Sequence, residues 1–169
     1  SARLQAMAAS QDLLARTSWQ SADLQTLLVQ ELRQLFGPDF NEGQLQGPDI
    51  KLNEVAAQAF GLAFHELATN ALKYGSARSD EGELSIWWRI EREPGIAEHL
   101  VFSWRERSKT ALDEQDLSAI TRKGGFGTKL LDATMRVELG GSITTSPDEF
   151  GIDVTIRVPY ERVKVARQA

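Results

Sequence analysis

Cysteine is missing from all 169 residues, which excludes disulfide scaffolds, thiolate metal sites and cysteine nucleophiles. Histidine is nearly missing as well, and His65 and His99 alone cannot build a multi-histidine metal centre. Basic residues are outnumbered, 19 Lys and Arg against 24 Asp and Glu, giving a formal charge of −5. That balance argues against a general nucleic-acid binder, which presents a basic field, but leaves room for a local basic phosphate pocket. No apolar run approaches the roughly 20 residues of a membrane span. No charged start followed by an apolar run marks a signal peptide, so a cytoplasmic setting is expected. Ser1 stands where an initiator Met would be, and the chain is expected to be an excised or processed piece. Repeats and low-complexity segments are absent too. What is present is ordinary for a globular chain: 41% hydrophobic and 25% charged residues, enough for one domain with its own core.

The periodicity predicts helices first and strands later. Leu4, Met7, Ala8 and Leu14 recur at helical spacing over residues 2–15. Ser18–Ser21 break that pattern, and Ser21 is the expected cap of a second helix lined by Leu24, Leu27, Leu28, Leu32 and Leu35. Gly37-Pro38 ends it, and residues 37–48 read as a loop with a short strand piece. Residues 54–74 form the strongest helix, stopped by Gly75. Alternation at Leu84, Ile86, Trp88 and Ile90, then at Leu100, Phe102 and Trp104, predicts a hairpin across Glu93-Pro94-Gly95. Residues 107–123 are polar and aperiodic, as expected of a lid. A helix to Glu138, strands over 142–145 and 151–158, and a charged, frayed tail from Glu161 complete the chain. Helices kept to one side of a mixed or antiparallel sheet make a two-layer α+β sandwich.

The helix over 54–74 has two faces. Phe60, Phe64, Leu67 and Ala71 fall on one stripe, the expected core face. Glu66, Asn70 and Lys73 fall on another, so a carboxylate, an amide and an ammonium point the same way in successive turns. Ala59 and Ala63 precede them on that stripe, where small residues leave space for a ligand. An Asn oxygen suits Mg²⁺, a Lys one turn on suits phosphate, and a Glu one turn back suits an attacking group. Spacing alone leaves a second possibility open, a solvated face with an incidental Glu–Lys pair.

The residues themselves narrow the choice. His65-Glu66-Leu67-Ala68-Thr69-Asn70-Ala71-Leu72-Lys73-Tyr74-Gly75 closely resembles the N-box of the HWE family of sensor histidine kinases. That family is named for a His in this box and a later Trp-x-Glu, here Trp104-Arg105-Glu106. The resemblance runs from about residue 4 to 160 and implies a Bergerat-type ATPase fold, a mixed sheet covered by helices on one face. It implies that Asn70 holds Mg²⁺, Glu66 is the general base or orients the nucleophile, Lys73 contacts phosphate, and Tyr74 walls the nucleotide pocket. His65 is implied near that pocket, with core packing as the alternative. Glu106 stands where related ATPases accept the adenine amino group, a donor that suits a carboxylate. Gly125, Phe126, Gly127 and Thr128 resemble the second glycine box, where a helix N-terminus favours phosphate.

The same resemblance divides the chain. Residues 1–35 are expected to be the C-terminal part of a dimerisation region and its connecting helix, 36–160 the ATP-binding catalytic domain, and 161–169 a tail. The expected function is transfer of the ATP γ-phosphoryl to a His on a dimerisation helix, for relay to an Asp of a response regulator. A homodimer is implied for the full-length protein, with no nucleic acid and no membrane partner for this chain. No His-Arg-x-x-Asn phosphoacceptor motif occurs here. Two departures stand out. Glu106 is followed by Arg107-Ser108-Lys109 instead of glycines, and Gly151-Ile152 lacks the Thr of many relatives. The alternative they suggest is a non-catalytic adaptor or phosphotransfer scaffold with a degenerate ATP site.

Overall fold

A computed structural model describes residues 22–74, 82–115, 118 and 126–166, with the backbone alone at Tyr74 and at 126–128. The expected helix over 2–15, the break at Ser18–Ser21, Gly75, residues 116, 117 and 119–123 of the expected lid, and Gly125 lie outside the described residues.

The first described residues, Ala22–Asp23 (β1), pair antiparallel with Lys51–Leu52 (β3). Helix α1 (Leu24–Phe36) therefore begins later than a Ser21 cap would place it. Its cap is Asp23, whose carboxylate accepts the Thr26 N–H at 3.1 Å. Gly37, at φ 98°, closes the helix in a conformation that side chains disfavour. A short 3-10 turn (Glu42–Gln44) leads into β2 (Leu45–Gln46). Helix α2 (Glu54–Tyr74) is capped by Asn53, whose Oδ1 accepts the Ala56 N–H at 2.9 Å.

Strands β4 (Gly82–Glu91) and β5 (His99–Ser108) form the expected hairpin. Helix α3 (Phe126–Leu139) precedes the antiparallel pair β6 (Ser142–Asp148) and β7 (Gly151–Pro159). The five-stranded sheet has the order β2-β4-β5-β7-β6, with β2 parallel to β4 and the other neighbours antiparallel. It is the mixed sheet of the expected α+β fold. Strand β6 runs past 145 through Pro147 because it lies at the sheet edge, where a missing N–H is tolerated.

Alternation sorts the sheet into two faces. Leu100, Phe102 and Trp104 of β5 and Ile152, Val154, Ile156 and Val158 of β7 are buried in the core. Phe102 lies 5.1 Å from the Phe64 ring and 6.3 Å from the Phe60 ring, joining α2 to the sheet. On the Phe102 side Trp88 stacks at 6.4 Å, and its indole N–H donates to the Pro48 carbonyl at 2.7 Å. Trp87 is on the opposite face, under the Arg105 guanidinium at 5.5 Å.

Two observations bear on the expected divisions of the chain. Leu24, Leu27, Leu28 and Leu32 share one core with α2 and the sheet, so a cut at residue 35 does not separate two cores. The tail is docked rather than frayed through residue 164. Helix α4 (Tyr160–Val163) buries Val163 completely, and Asn53 Nδ2 donates to the Arg162 and Lys164 carbonyls at 3.0 and 3.2 Å. One apolar residue and one distant Asn leave no periodic trace.

Gly151 marks a close approach of two backbones. A Cβ there would overlap the Glu106 carbonyl, which cannot yield without parting β5 from β7. Gly151→Ala is expected to lower stability by about 1–3 kcal/mol, read as a drop in the urea midpoint with little change in slope.

Candidate functional site

Helix α2 divides as its sequence predicts, with one exception. Phe60, Phe64, Leu67 and Ala71 are buried, while Glu66 and Asn70 are half-buried and Lys73 is exposed. The three polar residues thus share a stripe that reaches solvent. The exception is Ala59 and Ala63, both in the core, so their small size serves close packing of the protein against itself. Tyr74 ends the helix.

His65 does not share the polar stripe. It is 8% exposed and faces α1, where its Nδ1 lies 3.4 Å from Oε2 of Glu31, itself 1% exposed. Glu31 was missed in the sequence. It sits at i+4 from Leu27 and i+3 from Leu28, so a carboxylate inside a leucine stripe was the available signal. His99, by contrast, is half-buried at the start of β5, its Nδ1 2.8 Å from the Ala97 carbonyl.

Trp104 and Glu106 lie two residues apart on β5 and so face the same way. Both are buried, and the Trp104 indole N–H donates to Glu106 Oε2 at 2.9 Å. The spacing has a physical meaning: the indole fills the core while its polar edge holds the carboxylate. The same face carries Phe102, against which α2 packs. Glu106 therefore lies on the sheet face that α2 covers through Phe60 and Phe64. Gly125 lies outside the described residues, and Gly127 and Thr128 are placed as the first turn of α3.

The segment Arg107-Ser108 is not part of a lid. It continues β5, paired with Gly82, Glu83 and Gly151, and the Ser108 N–H donates to the Phe150 carbonyl at 2.7 Å. Asp153 on β7 explains the extension. Its two oxygens accept from Arg105 Nε at 2.8 Å and Arg107 Nη2 at 2.9 Å, fastening β5 to β7 from the far face. Burial pushes the Asp153 carboxyl up, but hydrogen bonds and charge from Arg105 and Arg107 outweigh it and hold the group below its ordinary 3.8. A depressed carboxylate stabilises the fold above its unfolded value and loses that contribution as pH falls through the folded one. Asp153→Asn is thus expected to lower the melting temperature at pH 7. Its deficit relative to the native chain should shrink as pH drops below 3.8; a deficit constant across that range would contradict the assignment.

Comparison with known proteins bears on what these groups serve. A family model described as HWE histidine kinase matches residues 1–49. A blue-light-activated histidine kinase of Brucella ovis is 26% identical over 159 residues, covering 94% of this chain and 31% of that protein. Blue-light-activated histidine kinase 1 of Erythrobacter litoralis is 35% identical over 116 residues, 69% of this chain and 30% of that protein. The chain is similar in sequence to the HWE histidine kinases over residues 1–49 and to blue-light-activated histidine kinases over most of its length. It spans about a third of the length of the curated relatives it matches.

Solved structures place the fold of this chain. The histidine kinase domain of an Erythrobacter litoralis blue-light-activated histidine kinase superposes with a TM-score of 0.65 at 17% identity, covering 95% of this chain and 74% of that one. The catalytic domain of histidine kinase ThkA gives 0.56 at 15% identity, over 84% and 98%. The architecture is that of a histidine kinase catalytic domain. In this chain, the histidine and the Trp-x-Glu singled out by the resemblance form two separate buried pairs, His65 with Glu31 and Trp104 with Glu106.

Proposed function

We propose that this chain is the ATP-binding catalytic module of a two-component sensor histidine kinase. It transfers the γ-phosphoryl of ATP to a His on a dimerisation helix, for relay to an Asp of a response regulator. The observation that carries this reading is the division of α2. Glu66, Asn70 and Lys73 share one accessible stripe, while the opposite side of the helix is sealed against the sheet through Phe60 and Phe64.

The donors fit magnesium. Among the described residues no group of three or more His, Asp or Glu could hold a metal alone. A magnesium ion here would take the Asn70 amide oxygen and complete its shell with phosphate oxygens and water, as this cation prefers. When bound it neutralises charge on the terminal phosphates. Lys73, one turn on and exposed, adds a mobile positive charge for the same phosphates. Glu66, one turn back, accepts a hydrogen bond from the attacking imidazole and orients it. Glu106 accepts from the adenine amino group; held in place by Trp104, it favours a base edge that donates over one that accepts. Main-chain N–H groups at 126–128, the first turn of α3, receive phosphate oxygens. Catalysis then consists of positioning and charge neutralisation.

The full-length kinase is proposed to be a homodimer with this module in the cytoplasm. No described helix is long and apolar enough to cross a membrane. The reading is tested with γ-labelled ATP. A longer chain that includes the phosphoacceptor helix is expected to gain acid-labile phosphate, and the 169-residue chain alone is not. Label on His65 or His99, or none in the longer chain, would overturn it; the second result would favour the scaffold alternative.

A further inference from the structure

Helices α1 and α2 pack along a seam of leucines, alanines and phenylalanines, and one polar cluster interrupts it. Glu31 is buried on the α1 side, His65 on the α2 side, their nearest atoms 3.4 Å apart. Neither carboxylate oxygen of Glu31 and neither ring nitrogen of His65 has a hydrogen-bond partner. The buried hydroxyl of Thr69, one helical turn beyond His65, has none either. Such a pair is not a stabilising device. Desolvating a carboxylate costs more than a long, poorly aligned contact returns, and apolar residues of similar volume would serve the fold better.

Its place suggests another use. His65 immediately precedes Glu66, and Thr69 immediately precedes Asn70. A rotation of α2 about its axis moves the buried histidine and the two accessible residues together, because they are fixed on one rigid rod. Glu31 is the charged group that can hold that rotation, and it belongs to α1, whose start is tied to β3 through Ala22–Asp23.

We infer that Glu31 and His65 are positioning residues: the carboxylate of α1 holds the imidazole of α2, and this sets the angle at which Glu66 and Asn70 meet Mg-ATP. The contact is a few tenths of an ångström too long for a good N–H···O bond. A small approach of the two helices converts it into a charge-assisted hydrogen bond, so nucleotide binding and closure of the pair favour one another. The inference rests on the function proposed above.

The test is a titration of the 169-residue chain with a non-hydrolysable ATP analogue and Mg²⁺, with thermal melts of the same samples. The double variant Glu31→Leu, His65→Leu replaces the pair by apolar groups. It is expected to melt at or above the native temperature yet bind the analogue roughly ten-fold more weakly, the loss of one charge-assisted hydrogen bond. His65→Asn, which keeps a donor near the Nδ1 position, is expected to stay within about three-fold of native affinity. Native affinity in the double Leu variant would reduce the pair to packing and overturn the inference. If the variants do not fold, the native chain still decides. With two histidines in the sequence, one substitution at His99 assigns the ring ¹⁵N signals. The His65 signals are expected to shift on saturation with Mg-analogue, and unchanged signals would overturn the inference. A native chain that binds no analogue would remove the proposed function and this inference together. Binding without the variant effects would remove the inference alone.

Discussion

Asn70→Ala is expected to weaken binding of Mg-ATP by at least roughly a hundred-fold, more than loss of a residue that merely orients a metal ligand. The fold should be unaffected. Asn70 lies on the accessible stripe of α2, outside the core cluster, and Ala is a better helix former. The loss should therefore appear only with the metal present: in EDTA, native chain and variant should bind nucleotide equally weakly. Asn70→Asp keeps an oxygen ligand and adds charge, so it should retain metal dependence. Calorimetric titration with and without Mg²⁺ measures all of these, and an unchanged affinity for Asn70→Ala in Mg²⁺ would remove the magnesium assignment.

The second large effect is expected at Trp104. Its side chain is fully buried beneath the helices, and Trp104→Ala should lower stability by about 3–5 kcal/mol. Trp104→Phe separates the two tasks of the residue. It keeps most of the apolar volume but deprives Glu106 of the indole donor at 2.9 Å. The cost should be about 1–3 kcal/mol, the range for removing a partner from a buried polar group. A carboxylate with one holder fewer should also lose some preference for adenine. Urea melts read the first effect, and competition between ATP and GTP reads the second. A Phe variant as stable and as selective as the native chain would show that the Trp-x-Glu spacing serves packing alone.

How far the sequence reaches follows from which interactions leave a period. Helix α2, the β4–β5 hairpin and β7 carry strong 3.6- or 2-residue alternation because each presents one face to a single core. The polar stripe Glu66, Asn70 and Lys73 is legible for the same reason, since it lies within one element, whereas Glu106 was singled out by the family resemblance and not by any period. Contacts between distant segments are not. Glu31 meets His65 across two helices, Asp153 meets Arg105 and Arg107 across two strands, and Asn53 holds carbonyls near residue 163. The displaced cap at Asp23 has a similar origin, because Ala22–Asp23 is drawn into pairing with β3 before the helix starts. Residues 107 and 108 read as loop from their polarity, yet the two arginines on Asp153 keep them in the sheet. The small-residue positions Ala59 and Ala63 misled differently: small size signals close approach, and here it is the protein that approaches.

Glu66, Asn70 and Lys73 on one face of α2 are proposed to make a Mg-nucleotide site. Its most direct test is a calorimetric titration of the 169-residue chain with a non-hydrolysable ATP analogue, with and without Mg²⁺. Saturable binding that requires the metal and favours adenine over guanine nucleotides is expected. No binding at millimolar analogue in the presence of Mg²⁺ would contradict it.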